Sequence, residues 1–470
     1  VSALGEKPVV KRTPHWTDAG AVAFARFAMS IMMAADAVLA PSILTDFSGN
    51  ASDATLLSSM TYATVAALAL PFAQLSDRLG RSFVFVMGCL VFILGQLGIG
   101  FAPNFETFLF MRVVQGIGAA AQMITVLSIL TELYPASSWG RVLGLNTAFM
   151  YMGTLLGPYL AGLLSEHAGW RMVYFVGAGI STLSALCAAS RFGFRPQKRD
   201  RTVGFDGIGT VLVILSMAGL VHGGAHWAEA WGRGLLAFGA VMLVVYVIWE
   251  KRARFAQTDI SLFVENRVFR YGCAVQVLDN VAGFATTMLL SFYLQFVLLR
   301  SAPDTGMILM IMPLLMATLS PVYGRLADRF DPRCVSACGM LGVCLGLVGG
   351  ICIPWISSLW LVVGMAACVG AGTACFNTAN MKLIFRSVPP EKNGMAAGMV
   401  GGLRILGMVG SLLLAGMSMV TFMGGQEVST ETAHELVTSM QVSFCAFTVL
   451  GLFAVFLTLR AKPRSGKTAQ

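Results

Sequence analysis

Apolar residues run along this chain in long unbroken stretches, with short polar clusters between them. Phe83–Phe101, Leu235–Trp249 and Val442–Leu459 contain no charged residue. Strict apolar/polar alternation, the mark of a transmembrane barrel, is absent from these runs. About twenty consecutive apolar residues in a helix cross a bilayer. The pattern therefore predicts helical spans over 22–44, 55–76, 83–102, 107–132, 142–165, 172–191, 207–225, 234–249, 270–296, 305–323, 334–354, 358–382, 395–418 and 437–459. This is an all-α polytopic membrane protein with 14 spans.

Composition agrees. The chain is 56% hydrophobic and 12% charged, against roughly 45–50% and about 25% in soluble domains. The first twenty residues are too polar for a signal peptide. Eight of the ten cysteines lie in apolar runs. Cys334 and Cys338 sit at a predicted helix start, and their spacing fits no metal pattern, so all ten are expected to be packing residues.

The net charge of +9 could suggest a nucleic-acid partner. Its distribution points to membrane topology instead. With the N-terminus in the cytoplasm, 26 of the 32 Lys and Arg fall on the cytoplasmic side, three (Arg171, Arg233, Arg300) outside and three (Arg26, Arg112, Arg404) within spans. Both termini are then cytoplasmic. The densest basic block, Arg191–Arg201, is expected to be a solvated linker on anionic lipid.

The chain also repeats. Gly140, Gly144, Gly153 and Gly162 match Gly394, Gly398, Gly407 and Gly416 at one offset, and LSDR (75–78) matches LADR (326–329). Spans 1–6 and 9–14 thus form two halves, with spans 7 and 8 inserted. The implied organisation is a cytoplasmic segment 1–21, a six-helix bundle 22–191, a basic linker 192–206, an inserted pair 207–249, a linker 250–269, a second bundle 270–459 and a tail 460–470. Parallel repeats place a site between the halves, near the midplane.

Four motifs, in order, carry a resemblance. AQLSDRLGR (73–81) and its copy GRLADRFDPR (324–333) resemble the G-x-L-x-D-R-x-G-R loop of the major facilitator superfamily. RVVQGIGAAA (112–121) resembles its R-x-x-Q-G-x-G-A motif in the fourth helix, and GTLLGPYLAG (153–162) the helix-five antiporter motif. VPPEKNGMAAGMVGGLRILGMVG (388–410) is similar to the matching segment of the fourteen-helix drug/proton antiporter family. Helix one departs from that family: Val38 replaces a Thr, and Pro41 follows Asp36 by only five residues.

The resemblance implies a major facilitator fold and proton-coupled export of small amphipathic organic compounds by alternating access. No cofactor is expected beyond the proton gradient. The expected partners are a small-molecule substrate, protons and membrane lipid, with no nucleic acid; the protein would be a monomer, with or without an adaptor protein. The expected location is a bacterial inner membrane. A dedicated exporter of one metabolite, such as a siderophore, and a lipid or glycolipid flippase are the alternatives. Neither a nucleotide-binding loop nor a convergent catalytic set is visible in the sequence, so neither direct ATP use nor an enzyme is expected.

Ionisable residues in the bilayer are functional candidates. Asp36 and Arg112 differ in predicted depth by roughly 5 Å at the helical rise and could pair. Arg26 with Glu132, and Asp279 with Arg404, are two further candidate pairs. Asp36, Arg112 and Asp279 are the proton-coupling candidates, with Asp279 alternatively a contact for a cationic substrate group; permanent structural ion pairs are the other alternative. By resemblance, Gln115, Gln276, Asn280, Asn377, Asn380 and Arg404 belong to the substrate cavity, though interhelical hydrogen bonds would equally explain the amides. Met32, Met33, Met307, Met310 and Met312 could form an adaptable wall. The resemblance makes Asp77, Arg78, Arg81, Asp328, Arg329 and Glu132 a conformational latch. It makes Gly153, Gly157, Pro158 and Gly162 a seal against proton leak, with Pro158 expected to bend its helix. His222 and His226, four apart and near Glu229, are a weak metal pattern; an interfacial anchor with Trp227 and Trp231 is the simpler expectation.

Overall fold

The structure, a computed structural model, describes residues 15–135, 138–193, 204–253, 263, 266–353, 355–356, 358–389 and 393–461. Among these residues, 14 helical spans are long and apolar enough to cross a membrane. Most of the basic linker at 191–201 and the ends of the chain lie outside the described residues.

The first half comprises α1 (Trp16–Asp46), α2 (Ala51–Leu79), α3 (Arg81–Gly100), α4 (Phe105–Leu133), α5 (Trp139–Ala168) and α6 (Trp170–Phe192). The inserted pair is α7 (Gly207–Ala225) and α8 (Ala230–Glu250). In the second half, the ninth span is divided into α9 (Arg267–Gly283), α10 (Thr286–Phe292) and a π-helical turn at Tyr293–Val297. The tenth span is divided into α11 (Ala302–Leu309) and α12 (Ile311–Arg329). Then follow α13 (Pro332–Ile351), α14 (Leu359–Ser387), α15 (Asn393–Met423) and α16 (Ala433–Arg460). Several helices outrun their apolar windows; α1 begins at Trp16, where the Asp18 carboxylate accepts the His15 N–H.

The loops divide into two sets. Among the described residues, the helix ends that carry most of the Lys and Arg lie at one end of the bundle, called the basic end here; the loops 47–50, 298–301 and 424–432 lie at the far end. The two copies of the repeated loop turn differently at the basic end. Gly80 takes φ +98°, a conformation that disfavours a side chain. Its counterpart Asp331 is extended instead, caps α13 by accepting the Arg333 N–H at 2.9 Å, and ion-pairs with the Arg333 side chain. That guanidinium holds the Asp331 carboxyl below the usual carboxylate range. The glycine is thus dispensable in the second copy because a capping carboxylate makes the turn.

The packing repeats as the glycines do. A Cβ on Gly153 of α5 would fall 2.6 Å from the Phe27 carbonyl oxygen of α1, and one on Gly407 of α15 2.7 Å from the Val277 oxygen of α9. Each half therefore presses its fifth helix onto its first. The next repeated glycine crosses between halves. A Cβ on Gly162 would fall 2.4 Å from the Ala302 oxygen at the start of α11, and one on Gly416 would meet Thr55 of α2. Small residues allow this close approach where lipid supplies no hydrophobic drive between helices.

At the far end, the two halves are also joined by polar contacts. The Val428 N–H donates to the Gly49 oxygen at 3.1 Å, beside an antiparallel bridge between Asn50 and Glu427. Gln295, in the π-helical turn, donates to the Val38 oxygen of α1 at 3.1 Å.

A cavity between the two halves of the chain

Below that closure lies a cavity of about 330 Å³, lined by both halves. Asp36 lines it two residues before Val38, so this carboxylate sits just beneath the far-end closure. Arg26, ten residues earlier on α1, and Arg404 on α15 line it nearer the basic end. Methionines from both halves, including Met33, Met123, Met312 and Met408, supply much of the wall.

Asp36 is held on both oxygens. Arg112 Nη1 donates to Oδ2 at 2.7 Å, and the Tyr174 hydroxyl donates to Oδ1 at 2.9 Å. Arg112 has no exposed surface. Its Nη1 also reaches Gln115 Oε1 at 3.1 Å, and its Nη2 donates to the Leu57 oxygen of α2 at 3.0 Å. The guanidinium further lies 5.8 Å from the Phe108 ring centroid. The fourth-helix motif explains this placement. Gly116 lets α4 close on Thr61 and Thr64 of α2, and Gly118 lets it close on Phe92 of α3. Without that proximity, Arg112 could not reach a backbone carbonyl of α2.

The expected Asp36–Arg112 pair is therefore present, but the other two pairs are not. Glu132 pairs with Arg81 at 3.4 Å, while Arg26 turns into the cavity and donates to the Met150 sulfur at 3.3 Å. Depth suggested the Arg26–Glu132 pair from a span starting at residue 22; α1 instead begins at Trp16, so Arg26 lies ten residues into its helix, while Glu132 is next to the end of α4. Asp279 and Arg404 both line the cavity and interact electrostatically without forming an ion pair. Asp279 Oδ1 and Arg404 Nε are buried and lack hydrogen-bond partners.

The amides divide likewise. Asn280 and Asn377 line the cavity. Gln276 and Asn380 lie behind them: Gln276 donates to Asn377 at 3.0 Å and accepts from Asn380 at 3.1 Å. Gln115 does not line the cavity either; it supports Arg112. Among the methionines, Met33 and Met312 line the wall, Met32 is buried against Gly177, and Met307 is exposed on the outer surface.

The antiporter-motif helix bears directly on this site. Gly153 and Gly157 pack on the Phe27–Ala34 stretch of α1, immediately before Asp36. Pro158 lines the cavity, and its carbonyl oxygen lies 2.4 Å from where a Cβ on Gly306 would be. Helix α5 is continuous through Pro158. In the second half Ser411 replaces Gly157, and its hydroxyl accepts the Ala285 N–H at 2.9 Å, where α9 gives way to α10. One half uses the position to bring helices together, the other to satisfy a broken helix.

Among the described residues, the ion pairs of Asp77, Arg81 and Asp328 lie within their own halves. Asp77 pairs with Arg81 at 3.1 Å, and Arg81 also donates to the Ser128 oxygen. Arg78 stacks on Phe205, next to the inserted pair. Asp328 pairs with Lys382 of α14, and Arg329 is exposed. His226 bonds through its ring to the His222 carbonyl oxygen and lies against Trp231, which donates to Glu229.

Sequence reasoning missed Tyr174, Gln295 and Lys382; Ser411 was visible as the repeat counterpart of Gly157, but not its hydrogen bond. Tyr174 carried one signal, a hydroxyl in an apolar run at the level of Asp36; Gln295 and Lys382 had none without neighbours in space.

Comparison with known proteins supports the fold. Residues 22–298 and 273–470 match the model of the Major Facilitator Superfamily. The riboflavin transporter RibZ of Clostridioides difficile (strain 630) is 26% identical over 78% of this chain and 80% of its own length. The multidrug resistance protein Stp of Mycobacterium tuberculosis (strain CDC 1551 / Oshkosh) is 29% identical over 71% of this chain and 63% of Stp. A crystal structure of a peptide transporter, POT, in complex with sulfate superposes with a TM-score of 0.70 over 94% of each chain, at 15% identity.

Proposed function

The chain belongs to the major facilitator superfamily, and from that premise we propose that it is a proton-coupled antiporter that exports small amphipathic organic compounds by alternating access. The observation that carries this reading is Asp36: a nearly buried carboxylate that still lines the cavity, at its closed end, on the helix against which the antiporter-motif glycines pack. A proton delivered to that oxygen changes the charge balance with Arg112. It can thereby alter the contacts of α1 with α5, α10 and α11 that distinguish one facing state from the other.

The predominance of Lys and Arg on one side supports cytoplasmic termini, in a bacterial inner membrane. The closed far end is then the outer face, and this conformation faces the cytoplasm. The names of RibZ and Stp, a riboflavin transporter and a multidrug resistance protein, support a small-molecule cargo.

The reading is tested in cells loaded with riboflavin or with a hydrophobic dye. Retention should be lower with the gene than without it, and a protonophore should abolish the difference. Export that survives a collapsed proton gradient sinks the antiport reading.

The basic-end charges give a second test. In this conformation, Asp77 and Arg81 are tied to each other and to α4. As a latch they would engage the second half only in the opposite state. Asp77→Ala is then expected to slow turnover about tenfold, equivalent to about 1.4 kcal/mol on one conformational barrier. Equilibrium binding of the same cargo should change by less than about twofold, because exposed pairs contribute little stability. A comparable loss of binding would show that Asp77 is not a latch.

A further inference from the structure

Each half contributes one cationic side chain to the cavity that forms no ion pair among the described residues: Arg26 from α1 and Arg404 from α15. The two guanidiniums are close enough to interact electrostatically, and the interaction is repulsive. Arg26 donates to a thioether sulfur, a weak acceptor. Arg404 keeps a buried Nε with no acceptor. A buried donor left unbonded is costly, and two adjacent cations add to that cost.

The other ionisable groups lining the cavity do not cancel them. Asp36 is already engaged by Arg112 and Tyr174. Asp279 is one carboxylate against two guanidiniums, and it forms no ion pair with Arg404. The cavity thus carries surplus positive charge near the basic end, beside walls of methionine and other apolar side chains.

We infer that Arg26 and Arg404 form a recognition site for an oxyanion, and that the cargo is an amphipathic organic anion whose acidic group lies between the two halves. This deepens the transport reading and rests on it. A planar guanidinium from each half suits a carboxylate or phosphate, which offers several acceptor oxygens. An anion bound to both would also draw the halves together at the end where, in this conformation, the cavity presents its cations. Cargo occupancy would then favour closure of that end. The apolar body of the molecule would lie against the methionines, which adapt to varied shapes.

The test uses purified full-length protein in phosphatidylcholine nanodiscs, with no proton gradient, so its outcome is independent of the antiport reading. Fluorescein and rhodamine 6G share a xanthene body and carry opposite charge. Binding is followed by fluorescence anisotropy. Fluorescein should bind at least about tenfold more tightly than rhodamine 6G, and Arg26→Gln and Arg404→Gln should each weaken fluorescein about thirtyfold, as for loss of one partner in a desolvated charged contact. The Arg26→Lys/Arg404→Lys variant should recover most of that affinity, which separates lost charge from misfolding.

Equal binding of the two dyes, preference for rhodamine 6G, or binding of neither would overturn the inference. So would full displacement of fluorescein when phosphatidylglycerol is added to the nanodiscs, since the site would then belong to a lipid headgroup. Whichever of these occurred, the proton dependence of export in cells would still stand or fall on its own measurement.

Discussion

Asp36→Asn should reduce transport driven by an imposed pH gradient in proteoliposomes to the protein-free background. Two independent effects lead there. The amide cannot carry a transported proton, so a coupled cycle cannot be completed. It also leaves Arg112, which has no exposed surface, without its 2.7 Å counter-charge in a low-dielectric setting. Breaking a buried pair by removing one partner typically costs about 3–5 kcal/mol. Here Gln115 and the Leu57 carbonyl remain as acceptors, which moderates the loss. The stability effect must therefore be separated from the coupling effect. Asp36→Glu retains a titratable oxygen, and Tyr174→Phe removes only a hydroxyl bond, worth about 1.5–3 kcal/mol to a charged group. Thermal unfolding in detergent identifies variants that remain folded. A folded Asp36→Asn protein with gradient-driven transport intact would assign Asp36 and Arg112 to helix packing alone.

The second large effect is expected at Gly157. Even Gly157→Ala places a carbon 2.5 Å from the Ile31 carbonyl oxygen and 3.0 Å from Ala34 Cβ. Neither is the mobile end of a long side chain, so α1 and α5 must move apart. Overpacking of this kind costs about 1–3 kcal/mol, and Gly157→Leu should exceed that. Because Asp36 follows directly on α1, the displacement also reaches the proton site. Export by Gly157→Ala should fall about tenfold, and that by Gly157→Leu to background. The counterpart change Ser411→Gly should act differently: it removes the acceptor of the Ala285 N–H without widening any helix contact. Wild-type export rates in Gly157→Leu, measured in the same cell assay, would show that the small-residue contact is dispensable.

Span number and most of the motifs were legible in the chain because hydrophobic length and glycine spacing are local properties. Depth was legible too, since rise per residue is fixed; that is why Asp36 and Arg112 could be matched. Direction around the helix axis was not. In spans apolar on nearly every side, the pattern scarcely marks which face meets which neighbour. That uncertainty placed Gln276 and Asn380 in the cavity, when they instead support Asn377 from behind. Depth itself failed where a helix outran its apolar window: α1 begins at Trp16, so Arg26 lies well inside it and lines the cavity, while Glu132, at the end of α4, meets Arg81. The breaks in the ninth and tenth spans were hidden for another reason: neither run loses its hydrophobic length, and the group that accommodates the break at 284–285, Ser411, comes from α15.

The inserted pair gives the molecule a front and a back. Val213, Met217 and Val221 of α7 pack with Leu56, Ala63 and Ala67 of α2 and with Val409 and Leu413 of α15. That apolar cluster covers the seam between α2 and α15 from the lipid side. At the opposite seam α5 packs directly on α11 and α12, with close backbone approaches at Gly162 and Gly306, and among the described residues no inserted helix covers it. A molecule dissolved in the bilayer therefore meets two unequal walls. One is covered by the inserted pair, and the other is the direct packing of α5 on α11 and α12 beside Pro158. A chain built from two similar halves thus presents two unequal sides to the membrane around it.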